Sequence, residues 1–132
     1  MEPGAPLLRG FVVLVVDDDP DSLATAASLI EGFGCSVLRA ASGSEALAIL
    51  DSGAHIDLLF SDVVMPKGNG LALTHAVRER RPELPVVLAT GYAGIVDSVS
   101  AGGAIPLIKP FSMERLEAVL AEQLRVARDP PR

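Results

Sequence analysis

Phe11–Val16 is an unbroken apolar run, mostly β-branched, and it stops on Asp17, Asp18 and Asp19. A continuous stretch of this kind predicts a strand buried on both faces. Asp19-Pro20 has the form of an N-cap followed by Pro at the first helical position. A helix is therefore expected to about Phe33, closed by Gly34. Cys35–Ala40 reads as the second strand, and Ser42-Gly43-Ser44-Glu45 as a capping box opening a helix to about Leu50. Ile56–Asp62 is the third strand. A loop with Pro66, Gly68 and Gly70 leads into a helix ending near Arg81. Pro85–Thr90 is the fourth strand and Ile105–Ile108 the fifth. Between them Ile95–Ala101 is a short helix of low propensity, bounded by Gly94 and Gly102-Gly103. Ser112–Arg128 is the last helix, with Met113, Leu116, Leu120 and Leu124 at core spacing. The proline-bearing ends, residues 1–10 and 129–132, read as flexible tails around one domain spanning 11–128.

Strand–helix units joined by short connections imply an α/β fold, a doubly wound five-stranded parallel sheet with five helices on its two faces. For the strand order 2-1-3-4-5, ligands bind at the carboxyl ends of strands one and three, where the order reverses. Strand one ends in Asp17 and Asp18, and strand three in Ser61 and Asp62, so several carboxylates crowd one crevice. Like charges about 4 Å apart repel by roughly 4 kcal/mol at an effective dielectric near 20. Such a cluster needs a proton or a cation to offset the repulsion, and a hard divalent ion suits an all-oxygen site. Strand four ends in the hydroxyl of Thr90 and strand five in Lys109-Pro110. Carboxylates, a hydroxyl and an ammonium at one sheet edge suit phosphoryl transfer, where positioning and charge neutralisation supply most of the catalysis.

Composition narrows the picture. With 132 residues and 49% hydrophobic content, the chain fits one domain with one core. It has no apolar run of about 18 residues, so membrane insertion is not expected, and Met1–Pro6 lacks the features of a secretory signal. Cys35 is the single cysteine, which excludes an internal disulfide or a thiolate zinc site and reads as a core position. A cytoplasmic location is expected. The net charge of −6 argues against direct binding of nucleic acid. Arg78, Arg80 and Arg81 read as cations closing the C-terminal turn of their helix. Asp19 and Asp21 read as helix-start acids, Asp57 as a residue that merely precedes a strand, and His55 and His75 as surface or satisfied histidines.

The stretches Val15–Pro20, Ser61–Pro66, Gly70-Leu71, Leu88–Tyr92 and Ile108–Phe111, in this order, resemble the receiver domain of two-component response regulators, in a style closest to receivers of hybrid histidine kinases. The resemblance implies a flavodoxin-like fold. It implies that Asp62 accepts a phosphoryl group from a histidine kinase or histidine phosphotransfer protein. Asp18 and Asp62 would ligate Mg²⁺ with the Val64 carbonyl, and Asp17 would act mainly through a bound water. Thr90 and Lys109 would contact the phosphoryl group, the Val64 and Gly91 N–H groups would complete its cradle, and Lys109-Pro110 would be cis. Such a domain phosphorylates itself and switches a partner-binding surface rather than turning over an external substrate. The chain departs from the pattern at Pro106, where many receivers carry an aromatic switch residue. Tyr92 is then a substitute switch or a lid. Val64 is apolar where many receivers are polar, which with Tyr92 implies slow loss of the phosphoryl group. The first helix is apolar over Leu23, Ala24, Ala26, Ala27 and Ile30, a surface that serves either burial or docking of a kinase helix bundle.

Two other readings stand beside this one. Asp17-x-Asp19 after an apolar strand mimics the nucleophile and acid of a small aspartate-nucleophile phosphohydrolase, although that leaves Asp62-x-x-x-Pro66 unexplained. A pseudo-receiver acting as an unphosphorylated binding module would not need the intact set of Asp18, Asp62, Thr90 and Lys109.

Overall fold

The computed structural model describes residues 8–65 and 68–128. Five parallel strands, β1 (Val12–Val16), β2 (Ser36–Ala40), β3 (Leu58–Asp62), β4 (Val86–Thr90) and β5 (Ile105–Ile108), form one sheet in the order β2-β1-β3-β4-β5. The connecting helices are α1 (Pro20–Gly32), α2 (Gly43–Asp51), α3 (Gly70–Arg80), α4 (Val96–Ala101, preceded by a 3₁₀ turn at Ala93–Ile95) and α5 (Met113–Arg128). The expected α/β class, strand order and helix count are those of the structure.

The two-residue period of the strands divides the core in two. Leu14, Val16, Leu59 and Leu88 face Leu50, Leu73, Val77 and Val99 of α2, α3 and α4. Val13, Val15, Leu58, Phe60 and Val87 face Ile30, Leu116, Leu120 and Leu124 of α1 and α5. Both faces are covered, which explains why these strands are apolar runs rather than alternating patterns. Helix starts follow the local signals. Asp19 Oδ2 accepts the Ser22 N–H at 2.9 Å and Ser42 Oγ accepts that of Glu45 at 3.1 Å. Asn69 and Ser112 cap α3 and α5 in the same way. Gly34 ends the α1 turn with φ 105°, a conformation that disfavours any side chain.

Three expectations change. Leu8 does not belong to a flexible tail: it is 3% exposed, packs with the α1–α5 face of the core, and donates its N–H to the Phe33 carbonyl at 3.0 Å. Residues 1–7 and 129–132, the rest of the expected tails, lie outside the described residues, as does Pro66. Met113 is not core but 53% exposed. It opens α5, and Phe111 instead reaches inward, meeting the Phe60 ring edge-on at 6.5 Å. Of the three arginines near the end of α3, only Arg80 bonds a carbonyl of its own helix, that of Ala76. Arg81 donates to the Leu50 carbonyl near the end of α2, and Arg78 donates to the carbonyls of Leu84 and Gly103. Long guanidinium side chains satisfy the orphan carbonyls of neighbouring elements as readily as their own.

Candidate functional site

The strands end in step. Val16 pairs with Ser61, Asp62 with Ala89, and Thr90 with Ile108. The residues at or just past these ends, Asp17, Asp18, Asp62, Thr90 and Lys109, therefore share one edge of the sheet. Lys109 Nζ lies 2.7 Å from Asp62 Oδ1. Asp17 is almost completely buried, and its Oδ1 accepts the Asp19 N–H at 2.9 Å. Burial, opposed by that hydrogen bond and reinforced by the adjacent Asp62 and Asp18 carboxylates, pushes the Asp17 carboxyl up to about 6. Asp18 is half-buried. Among the described residues, no three His, Cys, Asp or Glu side chains are grouped as a metal cage. The acidic contact is the Asp17–Asp62 pair, with Lys109 on its other flank.

Thr90 is buried and its hydroxyl is engaged locally, accepting the Tyr92 N–H at 3.1 Å. The Lys109 N–H donates to the Thr90 carbonyl at 2.7 Å, tying the ends of β4 and β5 together, and the Lys109-Pro110 bond is cis. Val64 and Tyr92 are exposed at 76% and 69%, two large apolar side chains on the loops after β3 and β4. Tyr92 folds back over Gly94, where a Cβ would stand 2.5 Å from the ring. Val64 and Met65 pair antiparallel with Gly68 and Asn69, so the loop after Asp62 doubles back before α3.

A family model for the response regulator receiver domain matches residues 13–121. The chain belongs to that family. Transcriptional regulatory protein ZraR of Salmonella typhimurium is 32% identical over 93% of this chain and 29% of its own length. Sensor kinase CckA of Brucella abortus is 30% identical over 94% of this chain and 14% of its own. The receiver thus spans less than a third of these curated relatives. Among solved structures, the response regulator TrrA from Thermotoga maritima, in complex with Mg²⁺–BeF, superposes with a TM-score of 0.78 at 25% identity, covering 86% of this chain and 98% of that one. A receiver domain protein from Clostridium thermocellum gives 0.84 at 26% identity over 89% and 97%. Receiver domains are phosphoacceptor switches that take phosphoryl groups from histidine kinases and pass the signal to output domains.

Several residues of the matching stretches and beyond make contacts that their place in the sequence does not show. Ser61 is fully buried, and its hydroxyl donates to the Asp62 carbonyl at 3.0 Å. Gly70 packs so closely on β3 that a Cβ would sit 2.7 Å from the Asp62 carbonyl oxygen. At the opposite end of the sheet, Asp57 does more than precede a strand: its Oδ2 accepts the Val12 N–H at 2.8 Å and its Oδ1 lies 3.0 Å from His55 Nε2. Cys35 is buried, and its thiol is pushed up to about 11, first by burial and then by Asp57, so it stays protonated and inert. Among the described residues, no helix is long and apolar enough to cross a membrane.

Proposed function

We propose that Asp62 is the phosphoacceptor, taking a phosphoryl group from a phosphohistidine on a histidine kinase or histidine phosphotransfer protein. The observation that carries this reading is the position of the Asp62 carboxylate, which has Lys109 Nζ at 2.7 Å on one side and the buried Asp17 carboxyl on the other. A carboxylate attacks a charged phosphoryl group only when positive charge offsets the repulsion. Lys109 supplies one such charge and can pass from the Asp62 carboxylate to a phosphoryl oxygen. Thr90 can turn its hydroxyl from the Tyr92 backbone to the phosphoryl group, and the exposed Val64 and Gly91 N–H groups complete the cradle.

The donor set fits Mg²⁺. Asp17, pushed up to about 6 first by burial and then by the Asp62 and Asp18 carboxylates, lies in a crowd of acidic groups for which Lys109, at Asp62 Oδ1, is the cation at hand. Mg²⁺ takes one or two carboxylates, keeps several waters and shares phosphate oxygens, so a cage of three side chains is not required. Asp18, Asp62 and the Val64 carbonyl would hold it, with Asp17 acting through water. When bound, the ion would neutralise the charge that gathers on the transferring group. Loss of the Thr90–Tyr92 bond, with movement of Lys109, would then repack the joined ends of β4 and β5 and bias a two-state surface. Because Pro106 has no aromatic ring to rotate, Tyr92, seated over Gly94, is the moving aromatic element.

The phosphohydrolase reading loses its acid, since the Asp19 carboxylate is spent on Ser22, accepting from both its N–H and its hydroxyl. Mass spectrometry after treatment with acetyl phosphate and Mg²⁺ tests the proposal. One phosphoryl group localised to Asp62, lost in Asp62→Asn, is the expected result. Sustained turnover of p-nitrophenyl phosphate would instead favour the hydrolase, and no covalent label would favour a passive binding module.

A further inference from the structure

We infer that Ser61 is a positioning residue for the phosphoacceptor, acting through the peptide plane that follows Asp62. The inference rests on the reading of Asp62 given above. β1 pairs with β3 only as far as Val16 opposite Ser61. Beyond that point no β1 residue is paired with Asp62, whose half-buried carbonyl lies past the end of the register, and a backbone acceptor drawn away from water without a partner is costly. The Ser61 hydroxyl, itself wholly buried, supplies a donor to the Asp62 carbonyl at 3.0 Å.

The same carbonyl is confined by α3. Gly70 lies where a Cβ would come within 2.7 Å of the Asp62 oxygen and 3.1 Å of Val63 Cα, and its N–H donates to the Val63 carbonyl at 2.7 Å. Thr74 Oγ1 in turn donates to the Gly70 carbonyl at 2.7 Å, fixing the first turn of α3. On the β4 side, the Val63 N–H donates to the Ala89 carbonyl at 2.9 Å. The peptide after Asp62 is thus held by a hydroxyl, by a helix start and by the neighbouring strand. Its orientation sets both the Asp62 side chain and the chain direction into Val64, whose backbone groups serve the phosphoryl site. Alanine at 61 would keep the strand and remove the donor. Threonine would keep the donor.

The test uses the full chain with acetyl phosphate and Mg²⁺, following the Asp62 label by mass and the Val63 and Val64 amides by NMR. In Ser61→Ala, the labelling rate at saturating acetyl phosphate and Mg²⁺ is expected to fall about tenfold or more, since sub-ångström misplacement of a reacting group is kinetically expensive. The half-saturating acetyl phosphate concentration should stay within about twofold. The Val63 and Val64 amide signals should shift, and Ser61→Thr should restore both signals and rate. Ser61→Cys, nearly isosteric with a weak donor, should be slow like Ser61→Ala, and it serves if the alanine variant does not fold. Wild-type rates in Ser61→Ala or Ser61→Cys, or equal slowing in Ser61→Thr, would overturn the role of Ser61 alone. A wild-type chain unlabelled at Asp62 would overturn the phosphoacceptor reading and this inference with it.

Discussion

Lys109 Nζ and Asp62 Oδ1, 2.7 Å apart, join the ends of two strands that do not touch, because β4 lies between β3 and β5. The Lys109 side chain is 45% exposed, so solvent screens the pair and its contribution to stability is at most about 1 kcal/mol. Its value is kinetic. Replacing Lys109 by Met should slow Asp62 labelling by acetyl phosphate on the order of a hundredfold, the scale of losing one preorganised charge-stabilising donor. The melting temperature should change by only a few degrees. Stopped-flow or mass-shift kinetics beside thermal melts check both halves, and a variant that labels at the normal rate would remove Lys109 from the mechanism.

Asp17 makes the Mg²⁺-free receiver sensitive to pH. Its carboxyl is raised from 3.8 to about 6, first by burial and also by Asp62 and Asp18. Between those values the folded state keeps a proton that the unfolded chain has released. The stabilising effect of this group is therefore present at low pH and is lost as pH rises through about 6. Melting temperature without Mg²⁺ should fall between about pH 4 and pH 6 and level off above that. Adding Mg²⁺ at pH 7 should restore it, and Asp17→Asn should flatten the profile. A wild-type profile that rises over this window would contradict the assignment.

Gly70 has no room for a side chain. A methyl group there meets the Asp62 carbonyl at 2.7 Å and Leu88 Cδ2 at 2.9 Å, and the backbone partner cannot rotate away. Gly70→Ala is expected to lose about 1–3 kcal/mol through overpacking, read as a lower urea midpoint with an unchanged slope.

Arg78 links three segments, donating from α3 to the Leu84 carbonyl and, at 2.8 Å, to the Gly103 carbonyl at the turn before β5. Arg78→Ala should cost about 1.5–3 kcal/mol, the range for hydrogen bonds to a charged group. Amide exchange should quicken at 96–104 more than in α1. Uniform quickening across the domain would mean that Arg78 supports global stability rather than this turn.

Val64 and Tyr92 are exposed side chains two residues past Asp62 and Thr90. If they restrict attacking water, Val64→Asn and Tyr92→Ala should each shorten the phosphoryl half-life several-fold, measured by decay of the Asp62 label after acetyl phosphate is removed. Unchanged half-lives in both would reject the idea.

Strand and helix identity was legible residue by residue where the signal is local. Val12–Val16 and residues 86–89 are apolar because both faces of the sheet are covered, and Asp19 and Ser42 cap the helices they precede. The acidic edge was legible too, because strands one, three, four and five end at or beside Asp17, Asp62, Thr90 and Lys109, where the chain leaves the core. Several contacts had no local signature. Leu8 docks beside Phe33, Arg78 reaches Gly103, and Gly70 presses on the Asp62 carbonyl where Ser61 also donates. Periodicity and capping record what a residue does to its own neighbours within a turn or a strand. These contacts depend on which distant segments the sheet order brings within a few ångströms, and only the packed chain decides that.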